Sequence, residues 1–201
     1  MTPTPLISMK TETVIGPPST VTALALLGVV AAVMLVAFAY RMSDDGLIPV
    51  LDHANLAFHE AGHVVFGIFG PTIGLYGGTL GQLVFPMVIA AFFARKGAAV
   101  SAALGLLWLF QNFLNIARYL TDARAQQLPL VGGGEHDWFI ILSNWGVLSA
   151  DTRLARALTG FAWMGMVATA FWIGSLWYRA RLKAIERSKN ANKRTTPTSD
   201  R

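Results

Sequence analysis

Long uncharged stretches alternate along this chain with short charged punctuation, and the length of the stretches is the first clue to their role. Val21 to Tyr40 is twenty residues without a charge, closed by Arg41. At 1.5 Å of rise per residue, a helix of that length covers about 30 Å, the thickness of a bilayer's hydrocarbon layer. Ala37-Phe38-Ala39 has the form of a signal-peptidase site, but the near-neutral N-terminal flank and the long apolar run favour a retained span. Pro49 opens a second stretch to about Gly70, interrupted by Asp52, His53, Asn55, His59, Glu60 and His63. Residues Pro71 to Gly78 are rich in glycine and are expected to form a turn rather than a stable helix. Further spans are expected over 79–94, stopped by Arg95-Lys96, over 98–120 and over 157–178. The loop 121–156 holds Gly132-Gly133-Gly134 and an expected amphipathic interfacial helix from Asp137 to about Leu148.

The pattern predicts an all-α fold: a polytopic transmembrane helical bundle of about five spans over residues 20–178. A disordered lead-in (1–19) precedes it and a basic tail (179–201) follows. Composition agrees. The chain is 54% hydrophobic and only 13% charged, against roughly 25% charged residues in soluble proteins. Cysteine is absent, which excludes disulfides and thiolate metal sites. The net charge of +5 is concentrated in the tail, which carries eight Lys/Arg and two Asp/Glu from Arg179 onward. Directly after an apolar span, such a tail points to topology and anionic-lipid contact rather than nucleic acid. With five spans and the tail inside, eleven Lys/Arg lie inside and five outside. The expected orientation is therefore a cytoplasmic C-terminus and an external N-terminus.

The candidate chemistry lies in the second stretch. His59-Glu60-Ala61-Gly62-His63 sets two imidazoles four residues apart, on one side of a helix, where both can reach one metal ion. Glu60 stands beside them as a candidate general base, since a bound metal lowers the pKa of its water from about 16 to near 7. The chain has four histidines, His53, His59, His63 and His136. Ionisable groups in an apolar segment are expensive and usually functional. The bland alternative is a polar cluster that only holds helices together, at about 0.6 kcal/mol per interhelical hydrogen bond. Asp52, Asn55, His59 and His63 form one stripe, with Asp52 also suited to capping the helix start. Gln111, Asn115, Arg118 and Asp122 form a second stripe on another span, and two such stripes are most cheaply buried against each other. Arg118 and Asp122 also have the spacing of a helix-end ion pair. His136 and Asp137 are further metal donors on a flexible approach, with Asp137 alternatively a helix cap and Trp138 and Trp145 interfacial anchors.

Phe58-His59-Glu60-Ala61-Gly62-His63, the glycine-rich stretch after it and the later polar helix with Asn115 and Asp122 together resemble the site-2 protease family over roughly residues 50–125. Those proteins are intramembrane zinc metallopeptidases. The resemblance implies Zn2+ held by His59, His63 and an aspartate on a later span, which makes Asp122 the expected third ligand; the alternative, outside the resemblance, is His136, whose loop is free to dip inward, with Asp137 behind them. It implies Glu60 as general base, and Asn115 is a candidate for polarising the scissile carbonyl. It also implies that Gly74–Gly78 forms a short re-entrant edge strand for a substrate segment, the plain alternative being a turn. The third-ligand region departs from the family: its proline is missing, the spacing is one residue short and Ala123 stands where glycine is expected. The expected activity is hydrolysis of a peptide bond in or near the bilayer of a transmembrane protein or peptide substrate, in a bacterial inner (plasma) membrane. The alternatives are an inactive or metal-binding protein of the same scaffold that binds partner transmembrane helices, and a membrane di-iron oxygenase, which normally needs more than four histidines.

Overall fold

The computed structural model describes residues 21–131 and 134–195. The expected disordered lead-in, Gly132-Gly133 and the last residues of the basic tail lie outside them. Six α-helices follow one another: α1 (Ala23–Met42), α2 (Pro49–Gly67), α3 (Pro71–Arg95), α4 (Ala99–Thr121), α5 (Asp137–Asn144) and α6 (Asp151–Thr195). A short 3-10 turn, Leu148–Ala150, leads into α6. No strand occurs among the described residues. Helices α1, α3 and α4, and the segment Leu148–Ala191, are long and apolar enough to cross a membrane. Their outer faces carry bare apolar side chains such as Leu24, Phe38, Val88, Met164 and Phe171, the last 78% exposed. Water penalises such a surface and lipid does not.

Helix directions do not alternate in the way five crossings require. Tyr40 stacks edge-on against Trp163, while Leu26 reaches Gly174, so α1 runs antiparallel to α6. Phe110 packs on Gly165 and Ala155 packs with Ala117 and Leu120, so α4 also opposes α6. Asn55 bonds to Trp108 and Gln111, while His59 lies against Tyr119, so α2 runs parallel to α4. Helices α1, α2 and α4 therefore point one way, and α3 and α6 the other. Consecutive crossings must reverse direction, so α1 and α2 are not two successive spans. Helix α2 starts at mid-bundle: Asp52, in its first turn, meets Gln111, the thirteenth residue of α4. Apolar composition alone does not show at which level of the bundle a helix starts.

The glycine-rich stretch corrects a second expectation. Residues 71–78 are neither turn nor strand but the first two turns of α3, opened by Pro71. Each helical glycine costs about 1 kcal/mol relative to alanine, and close packing against α2 offsets this. A Cβ on Gly77 would lie 2.6 Å from the Gly62 carbonyl oxygen, and one on Gly81 would lie 2.8 Å from the Gly62 Cα. Small residues on both helices let the two backbones touch, as membrane helix pairs commonly do.

Two boundaries also differ. Helix α5 stops at Asn144 rather than near Leu148, because Gly146 turns left-handed at φ +69°. Its Ile141 and Leu142 are fully buried, so the helix is docked on the bundle. Helix α6 runs past the expected span end at 178 and takes much of the basic tail with it. Residues 179–195 contain no glycine or proline to stop a helix.

Candidate metal centre

The two polar stripes meet. Asp52 accepts a hydrogen bond from the Ile48 backbone N–H (2.7 Å), which ties down the start of α2, and another from the Gln111 amide (2.6 Å). Asn55 donates to Gln111 Oε1 (2.7 Å) and accepts from the Trp108 indole (2.9 Å). These buried groups satisfy one another, as a low-dielectric interior demands. They also fix the register that brings His59 level with Asn115 and Tyr119. His53 stays on the exposed side of α2 and donates to the Pro49 carbonyl.

His59 and His63 each use Nδ1 in a bond that orients the ring. His63 Nδ1 lies 2.8 Å from the Gly74 carbonyl, which can only accept, so Nδ1 carries the proton. His59 Nδ1 lies 3.0 Å from Gln82 Oε1. Both rings therefore turn Nε2 inward, and both meet one atom. Asp137 Oδ2 is 2.9 Å from His59 Nε2 and 3.2 Å from His63 Nε2. Helix α5 brings that carboxylate in as its first residue, with the Asp137 backbone N–H donating to the Tyr119 hydroxyl at 3.2 Å.

Three acceptors converging on one point need a cation between them, either protons on the rings or a metal ion. Their chemistry fits a metal: two imidazoles and a carboxylate are a common zinc donor set, and the donor atoms lie within 4.8 Å of one another. Both Nδ1–H bonds are of the kind that orient metal-bound histidines. The space is also reserved. A Cβ on Gly78 would sit 2.6 Å from His63 Nε2 and closer still to His59 Nε2. The group opens onto a cavity of about 630 Å³ between α2, α4 and the segment before α5. Glu60 and Asn115 line that cavity together with His59, His63 and Asp137, while Leu56, Leu130 and Ile140 give it apolar walls.

Asp122, the expected third ligand, does not join the histidines. Depth is not the obstacle, because the offset of α2 carries His59 toward the same end of the bundle. Asp122 sits at the C-cap position of α4, where its backbone N–H bonds back to the last turn, and its carboxylate is engaged elsewhere: it accepts the backbone N–H groups of Gln127 (2.9 Å) and Leu128 (3.0 Å), holding the following loop. His136 is not the third donor either. It takes the N-cap position considered for Asp137, its Nδ1 accepting from the Phe139 N–H, and its ring stacks on Tyr119 at 4.0 Å. Burial lowers its pKa below the ordinary histidine value, against the opposing pull of Asp122 and Asp137. Its buried Nε2 stands 3.6 Å from Asp122 Oδ2, beyond hydrogen-bond reach. Arg118 pairs with Asp45 in the α1–α2 loop rather than with Asp122.

Three participants escaped the sequence reading: Gln82, Tyr119 and Gly78. Gln82 carried a usable signal, as a lone carboxamide within an apolar span. No protein-family model matches this chain, and no curated protein or solved structure matches it either.

Proposed function

We propose that this chain is a membrane-embedded, zinc-dependent peptidase that cuts an apolar substrate segment near one face of the bilayer. The observation that carries the reading is the convergence of His59 Nε2, His63 Nε2 and Asp137 Oδ2 on one point, with Glu60 on the wall of the adjoining cavity. His59, His63 and Asp137 would hold the ion, which would supply Lewis acidity when bound. Glu60 takes the proton of the attacking water and delivers it to the leaving amine. Asn115 donates its amide to the scissile carbonyl oxygen. Leu56, Leu130 and Ile140 offer contact to apolar substrate side chains.

The topology that fits the helix directions has four crossings, α1, α3, α4 and α6, with α2 embedded between them. Both termini then share a side. The charge rule puts that side in the cytoplasm of a bacterial cell, because Lys10 and Arg41 exchange places and the eleven-to-five ratio is unchanged. The site lies toward the end of α4 where α5 docks, so cleavage occurs near the outer face of the membrane.

Metal analysis of the purified protein tests the ligand set. Wild type and Glu60→Gln should carry about one zinc per chain, and His63→Ala and Asp137→Ala should lose it. In proteoliposomes with single-span model substrates, cleavage should require zinc and vanish in Glu60→Gln. Equal zinc content in wild type and Asp137→Ala would leave a plain His–Asp ion-pair cluster. Full activity of Glu60→Gln would remove the general-base assignment.

A further inference from the structure

Gln82 connects the two halves of the site. Its side chain, 3% exposed, projects from α3 into the space between α2 and α4. Its Oε1 is 3.0 Å from His59 Nδ1, and its Nε2 donates to Asn115 Oδ1 at 2.7 Å. A carboxamide has one accepting end and one donating end, so fixing either end fixes the other. His59 presents the lone pair of Nε2 to the metal position, so its Nδ1 carries the proton. Gln82 must meet that proton with oxygen, and its NH2 group is thereby turned to Asn115. Asn115 must answer with its own oxygen, and its NH2 group is turned away from Gln82, toward the Asp52 carboxylate and the cavity that both residues line.

We propose that Gln82 is a positioning residue that makes Asn115 a hydrogen-bond donor, and not an acceptor, at the reacting centre. The inference rests on the hydrolase reading above, in which a carbonyl oxygen is the group to be stabilised. An unrestrained asparagine turns its amide either way at little cost, but Asp52 accepts from the Asn115 NH2 group on one side and Gln82 donates to its oxygen on the other. Here the wrong orientation would set two NH2 groups face to face in a buried site, leaving both unsatisfied. The choice of histidine nitrogen on α2 thus reaches α4 as the polarity of one amide.

Gln82→Glu tests the relay, since the two side chains are nearly the same shape but a carboxylate accepts at both ends. It still accepts from His59 Nδ1–H, so zinc content should match wild type. It also draws the Asn115 NH2 group toward itself and away from Asp52, and leaves the oxygen facing the cavity. The expected result is a fall in kcat on the order of 10²-fold with little change in KM, the size of a lost oxyanion-type donor. Asn115→Ala should fall comparably, and the double variant no further than either single one. A readout independent of turnover is the side-chain amide NMR signal of Asn115 in zinc-loaded, detergent-solubilised protein, assigned by its loss in Asn115→Ala. Its proton shifts should change in Gln82→Glu, as the NH2 group leaves Asp52 for the new carboxylate at position 82. Unchanged Asn115 amide signals, or additive losses in the double variant, overturn the relay. If the buried carboxylate prevents folding, Gln82→Met, apolar and similar in volume, removes the donor that the Asn115 oxygen answers; a kcat loss additive with Asn115→Ala then overturns it. A wild-type protein that holds zinc but cuts nothing defeats the hydrolase reading instead, and the amide signals still decide the relay.

Discussion

At the scale of single residues, the centre depends on an absence of atoms as much as on its ligands. Gly78 lies beneath both imidazoles, and a methyl group there would occupy the position of their inward nitrogens. A Gly78→Ala variant gains helix propensity, worth about 1 kcal/mol, yet must displace both rings. It should remain folded, with unchanged far-UV circular dichroism, and lose most of its zinc; zinc content equal to wild type would place the metal away from these nitrogens. His59, Glu60 and His63 were legible because two imidazoles and a carboxylate within five residues form a local pattern. Asp137 was legible only as one candidate among three. Whether it capped α5 or turned toward the histidines depended on where a glycine-containing loop set the helix down, and no local spacing encodes that. Asp122 had the closer likeness to a known third ligand, but an aspartate at a helix C-terminus also finds backbone N–H groups to hold.

At the scale of elements, the same amino acids mean different things in different partnerships. The glycines of 71–78 read as a turn because isolated propensity penalises them, whereas packed on α2 they are what allows the helix pair to close. The polar stripes of α2 and α4 were legible from periodicity, and their pairing followed from the cost of burying polar groups in an apolar layer. The link from the α1–α2 loop to α4 was not, because Arg118 had a nearer apparent partner in Asp122. Asp45 now marks that link. Burial would raise its carboxyl, but bonds from Arg118, the Leu47 N–H and Ser43, with the Arg118 charge, hold it at about 2 against an ordinary 3.8. A carboxylate lowered on folding stabilises the fold above its unfolded value, and that contribution disappears as pH falls through the folded one. Thermal stability should therefore decline between about pH 4 and pH 2 with an Asp45 component. The half-exposed pair contributes no more than about 1 kcal/mol, so Asp45→Asn should lower the melting temperature slightly at pH 7 and flatten the acid decline. An unchanged acid decline in Asp45→Asn would assign it to other carboxylates.

At the scale of the whole molecule, the open matter is which faces the bundle turns to which compartment. Lys and Arg counts alone leave two arrangements. Five crossings put Arg41 inside and Lys10 outside; four crossings with α2 embedded exchange them, and both give eleven against five. Helix directions separate the two. Leu26 lies beside Gly174 and Tyr40 beside Trp163, so α1 enters from the side on which α6 leaves. At its other end, Asp45 meets Arg118 near the end of α4. From there α2 begins at the level of Gln111 and runs toward the same end of the bundle, which favours the proposed arrangement with α2 embedded. The prediction concerns both termini at once. Reporter fusions at the N-terminus and at Arg187 should both give cytoplasmic signals, and one placed between Gln126 and Leu130 should give an external one. An external N-terminus with a cytoplasmic Arg187 would restore five crossings and require α1 to be reversed against α6. External signals at both termini would keep the four-crossing bundle, invert it against its own charge bias and move the candidate metal site to the cytoplasmic face.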